Sequence, residues 1–335
     1  MCLGVTSAYL YGYGIFFPNA GKGNNNCERG IKPVFLPALK KSNMMNILVT
    51  GANGQLGTEL RNLSSGSSNH YIFSDVNSVP GFETLSLDVT NRQAVRLVCE
   101  SEQVDVIINC AAYTNVDRAE DDYAMADLLN NKAAGNLAII AAERGATLIH
   151  ISTDYVFHGN ASAPYREDWS PSPLGVYGVT KLAGERAIRE SGCNWFIFRT
   201  AWLYSPYGKN FVKTMMRLTA DKDTLTVVAD QVGTPTYAAD LASLIVKVVD
   251  EGLLDKGGLY HYSNEGVISW YDFAKAICEL SGNSCDIRSC RSDEYPSKAA
   301  RPHYSVLDKS KVKRTFGISI PYWKDSLKAC IQRIK

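Results

Sequence analysis

The segment Met45-Asn-Ile-Leu-Val-Thr50-Gly51-Ala-Asn-Gly54-Gln-Leu-Gly57 decides the fold. Asn46–Thr50 reads as a short buried strand, and Leu56–Leu63 opens a helix directly after the glycines. Glycines at 51, 54 and 57 permit a tight turn and a close approach of backbone to ligand. The helix behind them offers free N–H groups and the positive end of its dipole to a pyrophosphate. A strand, this turn and a helix in that order mark a dinucleotide-binding unit.

Outward from the turn, short apolar runs alternate with helical stretches. Tyr71–Ser74 is a second strand, with Asp75 at its carboxyl end, and Glu83–Leu87 leads through Asp88-Val-Thr to a helix over Gln93–Glu102. Val106–Asn109 is another buried strand. Ala133, Leu137, Ile140 and Ala141 describe a buried helix stopped by Gly145, and Thr147–Ser152 is the next strand. This alternation predicts an α/β fold with a Rossmann-type doubly wound parallel sheet over residues 45–200. Beyond residue 200 the pattern loosens into Pro-bearing loops and short segments such as Leu225–Ala229 and Gly258–Tyr262. A smaller C-terminal substrate-binding lobe over residues 201–335 is expected, with some segments returning to the first domain. Asp75 stands where a carboxylate bonds adenosine ribose hydroxyls, a placement that favours NADH over NADPH.

The bulk properties agree with small-molecule chemistry. The 335 residues carry a net charge of +1, so no global field draws the chain to nucleic acid or an anionic membrane. The nine cysteines form no Cys-x-x-Cys pair and read as reduced thiols of a cytoplasmic protein. Residues 1–44 are rich in Gly, Asn, Tyr and Pro without periodicity, and are expected to be a disordered extension before the natural opening at Met44-Met45. They lack the pattern of a secretory signal, and no apolar run is long enough to span a bilayer.

Tyr177-Gly-Val-Thr-Lys181 puts a phenol and an ammonium one helical turn apart on one face. Such a pair suits ketone reduction, because the phenol can protonate a developing alkoxide and a nearby cation lowers the phenol pKa. Thr153 emerges from the strand Thr147–Ser152 at the carboxyl edge of the sheet, where open α/β folds bind ligands and where a hydroxyl can hold a substrate carbonyl. Ala111-Ala112 supplies small residues after a buried strand, allowing a cofactor close to the backbone.

These residues resemble the extended short-chain dehydrogenase/reductase family, with its Ser/Thr, Tyr and Lys set, and in particular its nucleotide-sugar reductases. The resemblance runs over residues 45–335 through Asn109-Cys-Ala-Ala-Tyr-Thr-Asn-Val-Asp-Arg-Ala-Glu120, Ser152-Thr-Asp-Tyr-Val-Phe157 and Tyr177-Gly-Val-Thr-Lys-Leu-Ala-Gly-Glu185. It continues in Arg199-Thr-Ala-Trp202, Asp230-Gln-Val-Gly-Thr-Pro-Thr236 and Arg301-Pro-His-Tyr-Ser-Val-Leu-Asp308. It implies reduction of a keto group on a nucleotide-activated sugar, with Tyr177 as proton donor and Lys181 bridging cofactor ribose and phenol. Thr153 and Asp154 would border the substrate and Trp202 would pack on it; from the residues alone Trp202 reads as a core aromatic. Gly54, Gln55, Leu56, Asp75, Asp88 and Val89 would line NADPH or NADH, joined by Ala112, Tyr113, Thr114 and Ile151.

Some family members resemble Mg2+-stabilised homodimers, and Glu59 falls at one such position, although a helix-surface glutamate reads as solvated. Two rival readings share the wording. One is an epimerase or dehydratase on the same fold, although a dehydratase would carry Thr-Asp-Glu where this chain has Thr153-Asp154-Tyr155. The other is a non-catalytic regulatory subunit resembling the methionine adenosyltransferase beta subunit.

Overall fold

The computed structural model describes residues 44–335 apart from Pro296, so the expected extension lies outside the described residues except for Met44. Thirteen strands are present in chain order: β1 Asn46–Thr50, β2 His70–Asp75, β3 Leu85–Ser86, β4 Val106–Asn109, β5 Thr147–Thr153, β6 Asn194–Thr200, β7 Leu203–Tyr204, β8 Thr224–Val228, β9 Val232–Gly233, β10 Thr236–Tyr237, β11 Gly258–His261, β12 Ile268–Ser269 and β13 Asp286–Cys290. Seven of them form one sheet in the order β11-β6-β5-β4-β1-β2-β3. Every pairing within it is parallel. The strand order reverses between β1 and β4, and ligands of open α/β sheets sit at that switch, outside the carboxyl ends.

The central strands are apolar on both faces because helices cover both. On one face Ile47, Val49, Phe196 and Phe198 pack with Leu56 and Leu60 of helix α1 (Gln55–Leu63) and with Leu241, Ile245 and Val248 of the helix Ala238–Asp250. On the other, Leu48, Ile107, Leu148 and Ile197 meet α2 (Arg92–Ser101) and α3 (Ala134–Arg144). Helix α3 ends where expected, with Gly145 in the left-handed region at φ 68°. Helix α4 (Val176–Glu190) carries the Tyr–Lys pair against β5.

The later residues divide between the main sheet and a second core. Gly258–His261 is the seventh strand of the main sheet, beside β6, whereas Thr224–Val228 pairs with β13 in a separate two-stranded sheet. A second core, built from Tyr204, Val212, Phe273, Ile277, Trp323 and Leu327, joins α5 (Phe211–Asp221), α6 (Trp270–Ser281) and α7 (Trp323–Ile334).

Glu59 departs from its sequence reading. It is buried, and both carboxylate oxygens are taken by Arg333 of α7, at 2.8 and 3.0 Å. This pairing occupies the one carboxylate that was a candidate magnesium ligand, and no cluster of three metal-ligating side chains occurs among the described residues. Nor does any described helix have the length and apolarity to cross a membrane.

Candidate active site

A cleft of about 760 Å³ runs along the carboxyl edge of the sheet from the glycine turn to the second core. At one end, Gly51 has φ +63°, and a Cβ there would stand 2.6 Å from the Ala111 amide nitrogen. The turn is therefore closed to any side chain and open to a ligand. Gly54 precedes α1 with no side-chain cap, leaving first-turn N–H groups facing the cleft. Gln55, Leu56, Asp75, Asp88, Val89, Ala111, Ala112, Thr114 and Ile151 line the same space, as do Gly51 and Gly54. Gly57 and Tyr113 do not. A Cβ at Gly57 would lie 2.5 Å from Ala52 Cα, so this glycine lets α1 pack closely against its own glycine turn. The Tyr113 phenol is turned aside and donates to Asp122 at 3.2 Å.

These features fit a dinucleotide. Asp75 is held at the tip of β2, its two oxygens accepting from the Asn53 and Asn77 amides at 3.1 and 3.0 Å. Arg61, which sequence reasoning did not bring to this corner, lies over the Phe73 ring and donates to Glu83 O at 2.6 Å. Asn210 reaches back from the second lobe to Gln55 Oε1 at 2.9 Å, fastening the C-terminal wall of the cleft to the turn.

The chemistry gathers at the middle of the cleft. Thr153 ends β5, Tyr177 opens α4, and Lys181 follows one turn later; all three line the cavity. Burial pushes the Tyr177 phenol up, and the hydroxyl of Thr153 draws it partly back. Lys181 is buried, donates to the Ile151 carbonyl at 2.6 Å, and is lowered to about 8 by burial. Asp154 is 2 % exposed and pushed up to about 7 by burial. Its Oδ1 accepts from Thr153 at 3.0 Å; the Ser305 hydroxyl also lies close enough to stabilise the carboxylate, but Oδ2 makes no well-formed hydrogen bond. A buried carboxylate oxygen without a donor, at the wall of a cleft, suits a hydroxyl-bearing ligand.

Beyond it stands Trp202, with φ +49°, an uncommon conformation for a bulky residue. Its ring stacks on Trp270 with centroids 3.6 Å apart, and a Cβ at Gly233 would meet it at 2.9 Å. Both tryptophans line the cleft, so Trp202 is a wall residue rather than a core one. Sequence reasoning missed Trp270, His150 and Arg301 as site residues. The Arg301 guanidinium lines the cleft while paired with Asp117 at 2.8 Å. Arg301 stood in a quoted stretch, but Trp270 had no motif to flag it.

The fold and the site define a nicotinamide-dependent oxidoreductase of the short-chain type: a dinucleotide turn at one end of a cleft and a Thr–Tyr–Lys set at its middle. More particularly, the chain belongs to the family described as RmlD substrate binding domain, whose pattern matches residues 45–335. It is 38% identical over 294 residues to a dTDP-4-dehydrorhamnose reductase of Aggregatibacter actinomycetemcomitans, covering 85% of this chain and 98% of that one. A solved dTDP-4-dehydrorhamnose reductase of Clostridium acetobutylicum superposes with a TM-score of 0.81 at 42% identity, over 87% of this chain and 99% of its own. Another, from Bacillus anthracis in complex with NADP, gives 0.79 at 36%, over 87% of this chain and all of its own.

Proposed function

We propose that the chain reduces the C4 keto group of dTDP-4-dehydro-L-rhamnose to give dTDP-L-rhamnose, a donor for cell-surface polysaccharide, using NAD(P)H. The observation that carries this reading is the meeting of Tyr177, Lys181, Thr153 and the unpartnered Asp154 Oδ2 in one cleft with the glycine turn. When bound, the reduced nicotinamide supplies a hydride. Tyr177 donates its phenolic proton to the sugar oxygen as charge develops there, and Lys181 restores that proton. Thr153 holds the same oxygen for attack. Asp154 Oδ2 accepts from a neighbouring sugar hydroxyl, and Trp202 presents an apolar face to the ring. Lys209 and Arg301 line the cleft and supply positive charge for the diphosphate.

The cofactor half of the reading is more specific. Asp75 presents a fixed carboxylate to the adenosine ribose, while Arg61 is engaged with Glu83 and Thr84 outside the cleft wall. This arrangement favours NADH.

The test is turnover with the keto sugar. The wild-type chain oxidises reduced nicotinamide in proportion to product, and Tyr177→Phe loses roughly 10²–10⁴ in kcat with cofactor affinity nearly unchanged. A Tyr177→Phe variant with near-normal turnover would remove Tyr177 from the mechanism. Absence of turnover by the wild type with either cofactor would overturn the substrate reading.

A further inference from the structure

Behind Lys181, on the side away from the cleft, a chain of buried hydrogen bonds runs across three strands. The Thr50 hydroxyl of β1 and the Ala111 backbone N–H both lie within bonding distance of Asn109 Oδ1, at 2.8 and 3.1 Å. An amide N–H of the backbone can only donate, so this side of the Asn109 carboxamide must be its oxygen. The Asn109 Nδ2 amide therefore faces His150 Nδ1 of β5, 3.0 Å away, and donates to it. His150 is 1 % exposed and held neutral, its pKa well below the ordinary value chiefly through burial. A neutral imidazole that accepts at Nδ1 carries its one proton at Nε2. That nitrogen lies 3.2 Å from Lys181 Nζ.

Two donors cannot face each other across that gap. An ammonium at Lys181 would point a proton at the Nε2 proton, whereas a neutral amine offers a lone pair to it and still donates to the Ile151 carbonyl. Turning the imidazole into the other tautomer would set its Nδ1 proton against the Asn109 amide. Flipping that amide would in turn set its NH2 against the Ala111 N–H. The Ala111 backbone thus fixes the polarity of the whole chain.

We propose that His150 is a positioning residue for the reaction, which donates from Nε2 to Lys181 and holds it as a proton relay poised between its neutral and charged forms. The inference rests on the reductase reading for what the relay serves, but the tautomer itself does not. Lowering the Lys181 pKa towards the working pH strengthens the drive for its charged form to give a proton to the Tyr177 phenolate, a stronger base that burial has pushed up, and the neutral amine left behind takes its next proton from solvent. The other groups facing Lys181 act on it in known senses. Glu185 on its own helix raises its pKa, although that carboxylate is neutralised by Arg199 of β6 at 2.7 Å. Cys110 beyond β4 is a neutral thiol, pushed up to about 12 by burial. Asp154 beyond β5 faces Tyr177 and Thr153 rather than the ammonium. His150 is thus the group that opposes the charge on Lys181 by direct contact.

The experiment has two readouts. In protein labelled with ¹⁵N-histidine, with the His150 signals assigned by their loss in His150→Phe, two-bond correlations report which ring nitrogen carries the proton. The proposal requires the Nε2–H form in the resting wild-type enzyme, a result independent of turnover and of any variant's activity; the Nδ1–H form overturns it. In the pH profile of kcat, His150→Phe removes the opposing donor, so the basic limb moves up by about one unit while KM for the sugar nucleotide stays within about twofold. A limb that stays in place or moves down overturns the proposal, because a histidine that accepted from a lysine ammonium, or merely filled space, would give those results.

Discussion

Replacing Glu185 by Ala should be among the most damaging single changes to this fold. Glu185 lies in α4 one turn beyond Lys181 and is fully buried. Its Oε1 accepts from Ser152 at 2.6 Å and from Arg199 Nε at 2.8 Å, and its Oε2 from Arg199 Nη2 at 2.7 Å. Arg199 is 1 % exposed inside β6, and its remaining nitrogen faces only His261, a neutral imidazole lowered to about 3 by burial and by Arg199 itself. Glu185→Ala leaves a buried guanidinium with only its long His261 contact and a buried hydroxyl without its acceptor. Breaking one side of a buried ion pair costs about 3–5 kcal/mol. At roughly 2–4 °C per kcal/mol for a chain of this size, the melting temperature falls by on the order of 10 °C. Urea unfolding should show a lower midpoint with an unchanged slope. The double variant Glu185→Leu/Arg199→Met, which removes both charges and keeps volume, should regain most of the loss. A single variant within about 1 kcal/mol of wild type, or a double variant no better than the single, would refute the reasoning.

Three further outcomes follow from particular residues. Asp154 has a folded pKa of about 7 against an ordinary value near 4, so folding takes up a proton between those limits. Its contribution is fully present below about pH 4 and is lost as pH rises through 7. Asp154→Asn should therefore gain on wild type by a few kcal/mol between pH 5 and 8 in urea titrations; an equal difference at both pH values contradicts the shift. Asp75→Ala should move the NADH-to-NADPH ratio of kcat/KM towards NADPH by about tenfold or more, and an unchanged ratio would take Asp75 out of cofactor choice. Gly57→Ala forces a methyl within 2.5 Å of Ala52 Cα, and calorimetry should show a loss of about 1–3 kcal/mol; a neutral result would mean that the turn gives way to the methyl without strain.

Much of the fold was legible because its signals are local. Val106–Asn109 is apolar on both faces and becomes a buried central strand, and Gly145 stops a helix where only a left-handed residue fits. The glycine turn, Thr153, Tyr177 and Lys181 were legible for the same reason: each sits within a few residues of the element that aims it. What sequence hid was pairing at a distance. Arg199 in a buried strand is explained only by Glu185 on α4, and Glu59 reads as a solvated surface residue until Arg333 arrives from the last helix. His150 looked like an ordinary strand residue because its role is set by Asn109, forty-one positions away. Gly258–His261 is too short to declare its sheet, and only the edge of β6 decides it.

The central claim is hydride transfer from nicotinamide to the sugar, and one isotope experiment tests it most directly. Reduced cofactor carrying deuterium at the transferable nicotinamide position is incubated with the enzyme and dTDP-4-dehydro-L-rhamnose, and the product is examined by NMR. The account predicts one deuterium at sugar C4 for each cofactor oxidised, in a single configuration. Product without deuterium, or sugar converted with no net oxidation of cofactor, would contradict it.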